Sequence, residues 1–459
     1  MKKNKIMKIS DQAKLQEKCG VICVTGVPDA AELCLTGLHA LQHRGHEAFG
    51  VASSVDGKIN VTHRLGTVMA NSADVPKCSS DKAIGHVRYS TSGNASFSQP
   101  VYLRCPFGEI AIAHNGNLIN ADELREILKK RGCIFESDVD TEVLVHLLAL
   151  SKEETYIGKI TEALQQVKGA YSLVLLINNE VFAVRDPHGV RPLSLGRLGD
   201  AIVITSETCA LDILKATFVR DVAPGELLEI KTNDVISHFP LERKERKFCI
   251  FEYVYFSRPD SLLEGRSVYT SRKKIGMQLA HESNTKSDMV VPVLDSGMVS
   301  SIGYAETSGI PLELAITKNY YSGRSFIEPT QDLRRIRVKL KHNANRELLQ
   351  SKKIILIDDS IVRGTTLKLL IAMLWEAGTE EIHVKIASPR MMNPCYYGVD
   401  TPNKKDLISA NLSVEEVRKY LGATSLYFLS LEGLYKAVSG SDVRKNFCDA
   451  CFTGDYPIK

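Results

Sequence analysis

The 459-residue chain is longer than one hydrophobic core usually organises, and its 44% apolar content is that of an ordinary globular protein, so two domains are expected. The formal charge of +4 rests on the leader: residues 1–18 hold six lysines against Asp11 and Glu17, leaving 52 basic and 52 acidic side chains elsewhere. That balance excludes nucleic acid as a bulk electrostatic partner, and no run approaches the roughly 18 consecutive apolar residues of a membrane span.

The leader MKKNKIMKISDQAKLQEK lacks the apolar stretch of a signal peptide and the arginines and serines of a transit peptide. A cytoplasmic location is expected. In that reducing compartment disulfides do not explain eleven cysteines, so some should serve catalysis or bind metal.

After the leader, KCGVICVTG places Cys19 directly before an apolar strand. GLHALQHRGHEAFG (37–50), the strand KINVTHRLG, GHVRYSTSG (85–93) and the strand EIAIAHNG with its continuation AHNGNL (113–118) follow. Helical patterns come next in ADELREILKKRG and in DTEVLVHLLALSKEE, which opens inside DVDTE (138–142). The run YSLVLLINNEVFAVRD reads as strand, and RDPHGVRPL (185–193) succeeds it. Short β-rich runs separated by helices predict an α+β domain.

The polar stretch HFPLERKERK (238–247) marks the domain boundary. Beyond it MVVPVL, LELAIT, KIILID and EIHVKIAS alternate with helical patterns, which predicts a parallel sheet covered by helices.

The segment KKIILIDDSIVRGTTLKLLIAMLWEAG runs strand, Asp358 and Asp359, glycine- and hydroxyl-bearing loop, helix. Ligands of open α/β sheets sit at the carboxyl ends of the strands. Gly364 permits close backbone approach, and the loop amides with the Thr365 and Thr366 hydroxyls lie at the positive end of the helix, which suits a phosphate dianion. The two carboxylates can accept from ribose hydroxyls. An isolated Asp-Asp would equally cap a helix, and the loop is not a Walker A sequence.

The thirteen residues IILIDDSIVRGTT (354–366) resemble the phosphoribosyl-pyrophosphate signature of type I phosphoribosyltransferases. PVLDSGMVSS (292–301) then resembles the family's pyrophosphate loop, with Leu294 where proline is common. KNYYSGRSFIEPTQDLRRIRVKLKHNANR (318–346), by composition a solvated charged face, resembles the loop that closes over this substrate, with Tyr320 replacing a usual arginine. The resemblance assigns phosphoribosyl pyrophosphate to Lys318, Arg324, Asp358, Asp359, Ser360, Arg363, Gly364, Thr365 and Thr366, and magnesium to Ser296, Asp358 and Asp359.

The first-half motifs resemble the N-terminal-nucleophile glutaminase domain of class II amidotransferases. Together the two halves are similar to the glutamine phosphoribosylpyrophosphate amidotransferases over nearly everything after residue 18. The fold this implies is an α+β N-terminal-nucleophile glutaminase sandwich (19–245) followed by an α/β type I phosphoribosyltransferase domain with a parallel sheet (246–459), after a propeptide (1–18).

The resemblance implies glutamine-dependent formation of 5-phosphoribosylamine, the first committed step of purine synthesis. Cys19 is the implied nucleophile, because a free α-amino group of pKa about 7.7–8.0 can take its thiol proton without a separate histidine. Asn115 and the Gly116 N–H would form the oxyanion hole; Arg88, Thr91 and Asp140 would bind glutamine; Tyr255 would wall an ammonia passage. His46 and Phe49 depart from the residues usual after His-Arg-Gly. Purine nucleotides as feedback inhibitors and a homotetramer are further implications. An ammonia-dependent phosphoribosyltransferase with an inert glutaminase half, or a non-catalytic regulatory homologue, are the competing readings.

Cys448 and Cys451 form a Cys-x-x-Cys compatible with metal, a redox pair or chance. The resemblance adds Cys249 in FCIFEYVYFSRPDS and Cys395 in PCYYGVD, the set that holds a 4Fe-4S cluster in the propeptide-bearing branch. Four thiolates can also bind zinc, and spacing does not separate the two.

Overall fold

The computed structural model describes residues 19–75, 79–88, 99–319, 342–399, 401, 403–440 and 446–459. The leader 1–18, Thr91, Tyr320 and Arg324 lie outside them.

The first half contributes β1 (Gly20–Thr25), α1 (Ala30–Ala40), β2 (Ala48–Val55), β3 (Lys58–Leu65), α2 (Val68–Asn71), β4 (Lys82–Arg88), β5 (Val101–Cys105) and β6 (Gly108–Leu118). Next come α3 (Ala121–Lys130), α4 (Thr141–Leu150), α5 (Tyr156–Gln166), β7 (Gly169–Ile177) and β8 (Glu180–Arg185). The half ends with β9 (Ser194–Leu198), β10 (Ala201–Thr205), α6 (Thr208–Leu214), β11 (Thr217–Asp221), β12 (Leu227–Ile230) and β13 (Val235–His238).

These strands form two antiparallel sheets, ordered β11-β9-β10-β1-β4-β2-β3 and β13-β12-β8-β7-β6-β5. The β1 run is apolar throughout because both its faces are covered. Val21 and Cys23 point between the sheets, meeting Ala111, Ala113 and Val174. Ile22 and Val24 point outward with Phe49 to pack under α1 and α6. The other sheet repeats this, turning Ile110, Ile112 and Leu173 toward α3, α4 and α5. The α+β expectation is thus a four-layer sandwich, helices outside two stacked sheets. Phe49 is a fully buried part of the α1 core.

The second half centres on a parallel sheet of Met289–Pro292, Lys353–Asp358, Glu381–Ile386 and Ser425–Phe428. Ile354 and Leu356 enter one core while Ile355 and Ile357 enter another, so KIILID reads as a continuous apolar run, as a doubly covered strand must. The helix Val268–Glu282, opened by Ser267 accepting from the Thr270 N–H, lies on one face, and Thr365–Glu376 on the other.

Two expectations change. LELAIT is not a full sheet strand: Leu312 makes an isolated parallel bridge to Val290, and Ile316–Lys318 pairs antiparallel with His342–Ala344 instead. Leu314 is 53% exposed, so the run has no second apolar face to hold it in the sheet. Ser425–Phe428 takes the outer position at the opposite edge. The chain passes between halves after His238, and Phe248–Cys249 pairs in parallel with Phe447–Cys448, tying the C-terminal segment to the start of the second half.

Candidate active site

Cys19 stands at the mouth of β1. The register Gly20 to Val87, carried one step further, sets Cys19 beside Arg88 at the end of β4. Buried Ser206, just past β10, joins this strand to the facing sheet: its hydroxyl oxygen accepts from the Val21 N–H at 3.0 Å and from Asn115 Nδ2 at 3.4 Å. His86 Nε2 reaches the His114 carbonyl at 3.2 Å, a second strut between the sheets. Cys19, Arg88, Asn115 and Gly116 are therefore held at one end of the sandwich by β1, β4 and β6.

Gly116 has φ +150°, and a Cβ there would fall 2.0 Å from the Ala170 carbonyl oxygen. Only glycine fits. Asp140 heads α4, and its Oδ2 accepts from the Leu118 N–H at 2.9 Å while Thr141 Oγ1 donates to Oδ1 at 3.1 Å. Burial pushes this carboxyl up, but His114 and these hydrogen bonds outweigh it and keep it below the usual range. Its charge is thus maintained next to the strand that carries Asn115 and Gly116.

In the second half, one cleft is walled by Ser296, the run Asp358 to Thr366, His342 and Tyr255. Asp358 ends the strand Lys353–Asp358; its Oδ1 accepts from the Asp359 N–H at 2.9 Å and from Ser296 Oγ at 3.3 Å. Ser360 Oγ donates to Asp359 Oδ1 at 2.5 Å. Gly364, with φ +73°, is the left-handed N-cap of Thr365–Glu376, so that helix points its unpaired amides into the cleft, the arrangement that binds phosphate. Arg363 Nη2 lies 3.3 Å from Asp406 Oδ2. Lys318 pairs with Asp295, whose peptide bond to Leu294 is cis. Carboxylates, hydroxyls and a helix N-terminus at one strand end suit a phosphorylated sugar and a hard divalent cation.

Cys249, Cys395, Cys448 and Cys451 line one small cavity with Val190, Phe251, Met391 and Tyr397, and with neither carboxylate nor imidazole in its walls. Burial pushes the Cys249 thiol up to about 12, and burial plus neighbouring cysteines raise those of Cys448 and Cys451. The Tyr397 N–H donates to Cys395 Sγ at 3.4 Å. Among the described residues no three His, Cys, Asp or Glu side chains gather closely enough to hold a metal ion. The four thiols line this one cavity together.

Sequence reasoning gave no role to the buried charges between these places. Arg44 pairs with Glu207, and its Nη2 lies 2.5 Å from Glu252 Oε2; Arg191 Nη1 lies 3.1 Å from Glu252 Oε1. Burial pushes the Glu252 carboxyl up, yet Arg44 and Arg191 hold it below the usual range. Glu252 opens the π-helical turn Glu252–Phe256, which also carries Tyr255 to the phosphate cleft, and the Arg44 side chain packs behind Gly20. Arg44, Arg191 and Glu252 stand inside the quoted runs GLHALQHRGHEAFG, RDPHGVRPL and FCIFEYVYFSRPDS, where presence in a motif was the one available signal, and Glu207 stands in none.

Residues 86–213 match the glutamine amidotransferase domain and residues 261–409 the phosphoribosyl transferase domain. The chain is 46% identical to amidophosphoribosyltransferase of Rhizobium etli, over 98% of this chain and 93% of that protein. It is 44% identical to that of Bacillus subtilis, over 97% and 95%. The solved Bacillus subtilis glutamine phosphoribosylpyrophosphate amidotransferase complexed with ADP and GMP superposes with a TM-score of 0.91 at 43% identity, covering 96% of this chain and 98% of that one. A second solved structure, described as the allosteric regulatory enzyme of purine biosynthesis, gives 0.92, also at 43% identity, covering 96% of each chain. At this identity and coverage the chain belongs to the amidophosphoribosyltransferase family.

Proposed function

We propose that the chain makes 5-phosphoribosylamine, pyrophosphate and glutamate from glutamine, water and phosphoribosyl pyrophosphate, with glutaminase chemistry in residues 19–245 and phosphoribosyl transfer in 246–459. What supports this is the pairing of two sites in one chain: a cysteine, an arginine and a buried asparagine at one end of the sandwich, and a cleft whose acidic pair precedes a helix N-terminus.

Removal of residues 1–18 frees the Cys19 amine, which takes the thiol proton. The sulfur attacks the carboxamide carbon, and Asn115 and the Gly116 N–H receive the oxyanion. The C–N bond then breaks, the amine returns the proton to the departing nitrogen, and water hydrolyses the thioester to glutamate. Arg88 and Thr91 hold the substrate carboxylate side, with Asp140 toward its ammonium. Ammonia crosses past Tyr255 and attacks the anomeric carbon as pyrophosphate leaves. A dry route is needed because water would protonate it. Lys318, Arg324, Ser360, Arg363, Gly364, Thr365 and Thr366 bind the phosphates, and Asp358 and Asp359 the ribose hydroxyls. Magnesium, held by Ser296, Asp358 and Asp359, would supply charge to the leaving pyrophosphate.

The oxyanion assignment is tested by Asn115→Ala. It is expected to lower glutaminase kcat about 100- to 1,000-fold with KM for glutamine little changed and ammonia-dependent synthesis intact. A KM effect alone would mean that Asn115 binds substrate and not the transition state.

The four-cysteine cavity fits a 4Fe-4S cluster: four sulfurs, an amide donor aimed at one of them, the Arg191 cation in the wall to offset cluster charge, and no carboxylate or imidazole to compete as ligand. The cluster would be structural, cross-linking the C-terminal segment to the start of the second half. Protein purified without oxygen is expected to be brown, with iron and acid-labile sulfide near about four each per chain; a zinc protein would be colourless. Cys448→Ser is expected to be insoluble or protease-sensitive, and a well-folded, fully active variant would remove metal from these positions. Inhibition by purine nucleotides belongs to the proposal, supported by the ADP and GMP bound to the Bacillus subtilis relative; a cytoplasmic homotetramer completes it on the sequence resemblance. No helix among the described residues is long and apolar enough to cross a membrane.

A further inference from the structure

The strand end that carries Asn115 and Gly116 does not stand alone; a turn from the other half of the molecule is seated on it. Asn117 Nδ2 donates to the Tyr396 carbonyl at 2.9 Å. Arg191 donates from Nε to the Tyr397 carbonyl at 3.0 Å and from Nη2 to the Gly398 carbonyl at 2.6 Å. Three successive carbonyls are thus held by groups of the glutaminase half. Gly398 then meets Gly116 backbone to backbone: a Cβ on Gly398 would lie 3.2 Å from Gly116 C, 3.3 Å from its Cα and 2.8 Å from Arg191 Nη2. The φ of Gly398 is +103°, which disfavours any side chain there in addition.

Arg191 is 1% exposed, and its remaining Nη1 is held by Glu252 Oε1, which belongs to the π-helical turn beside the phosphate cleft. A guanidinium is a rigid planar fork. Anchored on Glu252, it fixes the direction of the Tyr397 and Gly398 carbonyls, and through them the position of the turn against Gly116.

We propose that Arg191 and the Tyr396–Gly398 turn are a clamp for the oxyanion hole: Arg191 is a positioning residue that keeps the Gly116 peptide oriented toward the developing oxyanion. The inference rests on Gly116 being an oxyanion donor. An oxyanion hole contributes only if its donors are preorganised within a few tenths of an ångström, and Gly116 is paired with β7 on one side only, since the β5 ladder stops at Ile112. The completed second half is therefore part of the glutaminase site.

Arg191→Lys keeps the charge opposite Glu252 and beside the cysteine cavity but loses the two-carbonyl fork. Gly398→Ala keeps the Arg191 side chain but drives a methyl group against both its Nη2 and the Gly116 backbone. Both are expected to lower glutaminase kcat about 30- to 100-fold, with KM for glutamine within about twofold. Ammonia-dependent synthesis is expected to persist, as is the rate at which iodoacetamide alkylates Cys19, a reaction that needs no oxyanion hole. Combined with Asn115→Ala, Gly398→Ala should cost much less than it does alone, because the hole is already broken. Asn117→Ala, a change at a partly exposed side chain that spares the core, should show the same kcat pattern at smaller size.

Loss of ammonia-dependent activity in parallel with glutaminase would make the clamp a mere folding contact and overturn the proposal, as would a full multiplicative loss in the double variant or an unchanged kcat in all three single variants. If Asn115→Ala itself leaves kcat untouched, the oxyanion reading fails first and the clamp falls with it; if Asn115→Ala lowers kcat and the clamp variants do not, only the clamp is lost.

Discussion

Cys19→Ala is expected to abolish glutamine-dependent synthesis, by about four orders of magnitude or more, while ammonia-dependent synthesis survives. Four orders correspond to about 5 kcal/mol of barrier, the scale on which loss of a covalent nucleophile differs from loss of a single hydrogen bond. The survival follows from the layout. Cys19 lies at the end of the antiparallel sandwich, whereas the cleft of Asp358 and Asp359 is built entirely from the parallel-sheet half. Alanine at position 19 removes the sulfur of a partly exposed residue ahead of β1. The measurement is phosphoribosylamine formation with glutamine or with ammonium salt, at matched folding. Equal loss of both activities would refute the division of labour.

Asp359→Asn is expected to give the opposite phenotype. Asp359 is 5% exposed and oriented by Ser360, with Asp358 beside it oriented by Ser296. Asparagine keeps the shape and removes the charge. A hydrogen bond to a charged acceptor contributes about 1.5–3 kcal/mol, so synthesis should fall up to about 150-fold from either nitrogen source. Asp358→Asn should act alike, and both together should lose more than either. Basal glutaminase, assayed without phosphoribosyl pyrophosphate, should remain, and its activation by that substrate should weaken. Unchanged synthesis in both single variants would take these carboxylates out of the site.

The phosphate cleft was legible because nearly all of it is local. Asp358 through Thr366 are consecutive, so the strand end, the glycine N-cap and the helix amides follow from one short segment whatever the rest of the chain does. The glutamine side was legible through recognisable segments, each carrying one or two residues of the site. In the helix-covered sheets, apolar runs such as VICV and KIILID announced burial on both faces. Ser425–Phe428 gave no such signal: all four of its residues are half-exposed at a sheet edge, and LELAIT misled because an extended apolar run does not say which strand it will pair with.

By itself the sequence determined two domains, their fold classes and the segments that carry the chemistry, since those depend on local pattern and on short loops with fixed backbone demands. Tertiary structure alone decided how the halves engage. Arg44 meets Glu252 across 208 positions, Arg191 meets Gly398 across 207, and Phe248 pairs with Phe447. In sequence each of those arginines looks like any solvated charge. Its role comes from burial with a particular partner, because water screens an exposed guanidinium while a dry one must find carbonyls or carboxylates to hold, and only the packing of the two halves brings those groups within reach.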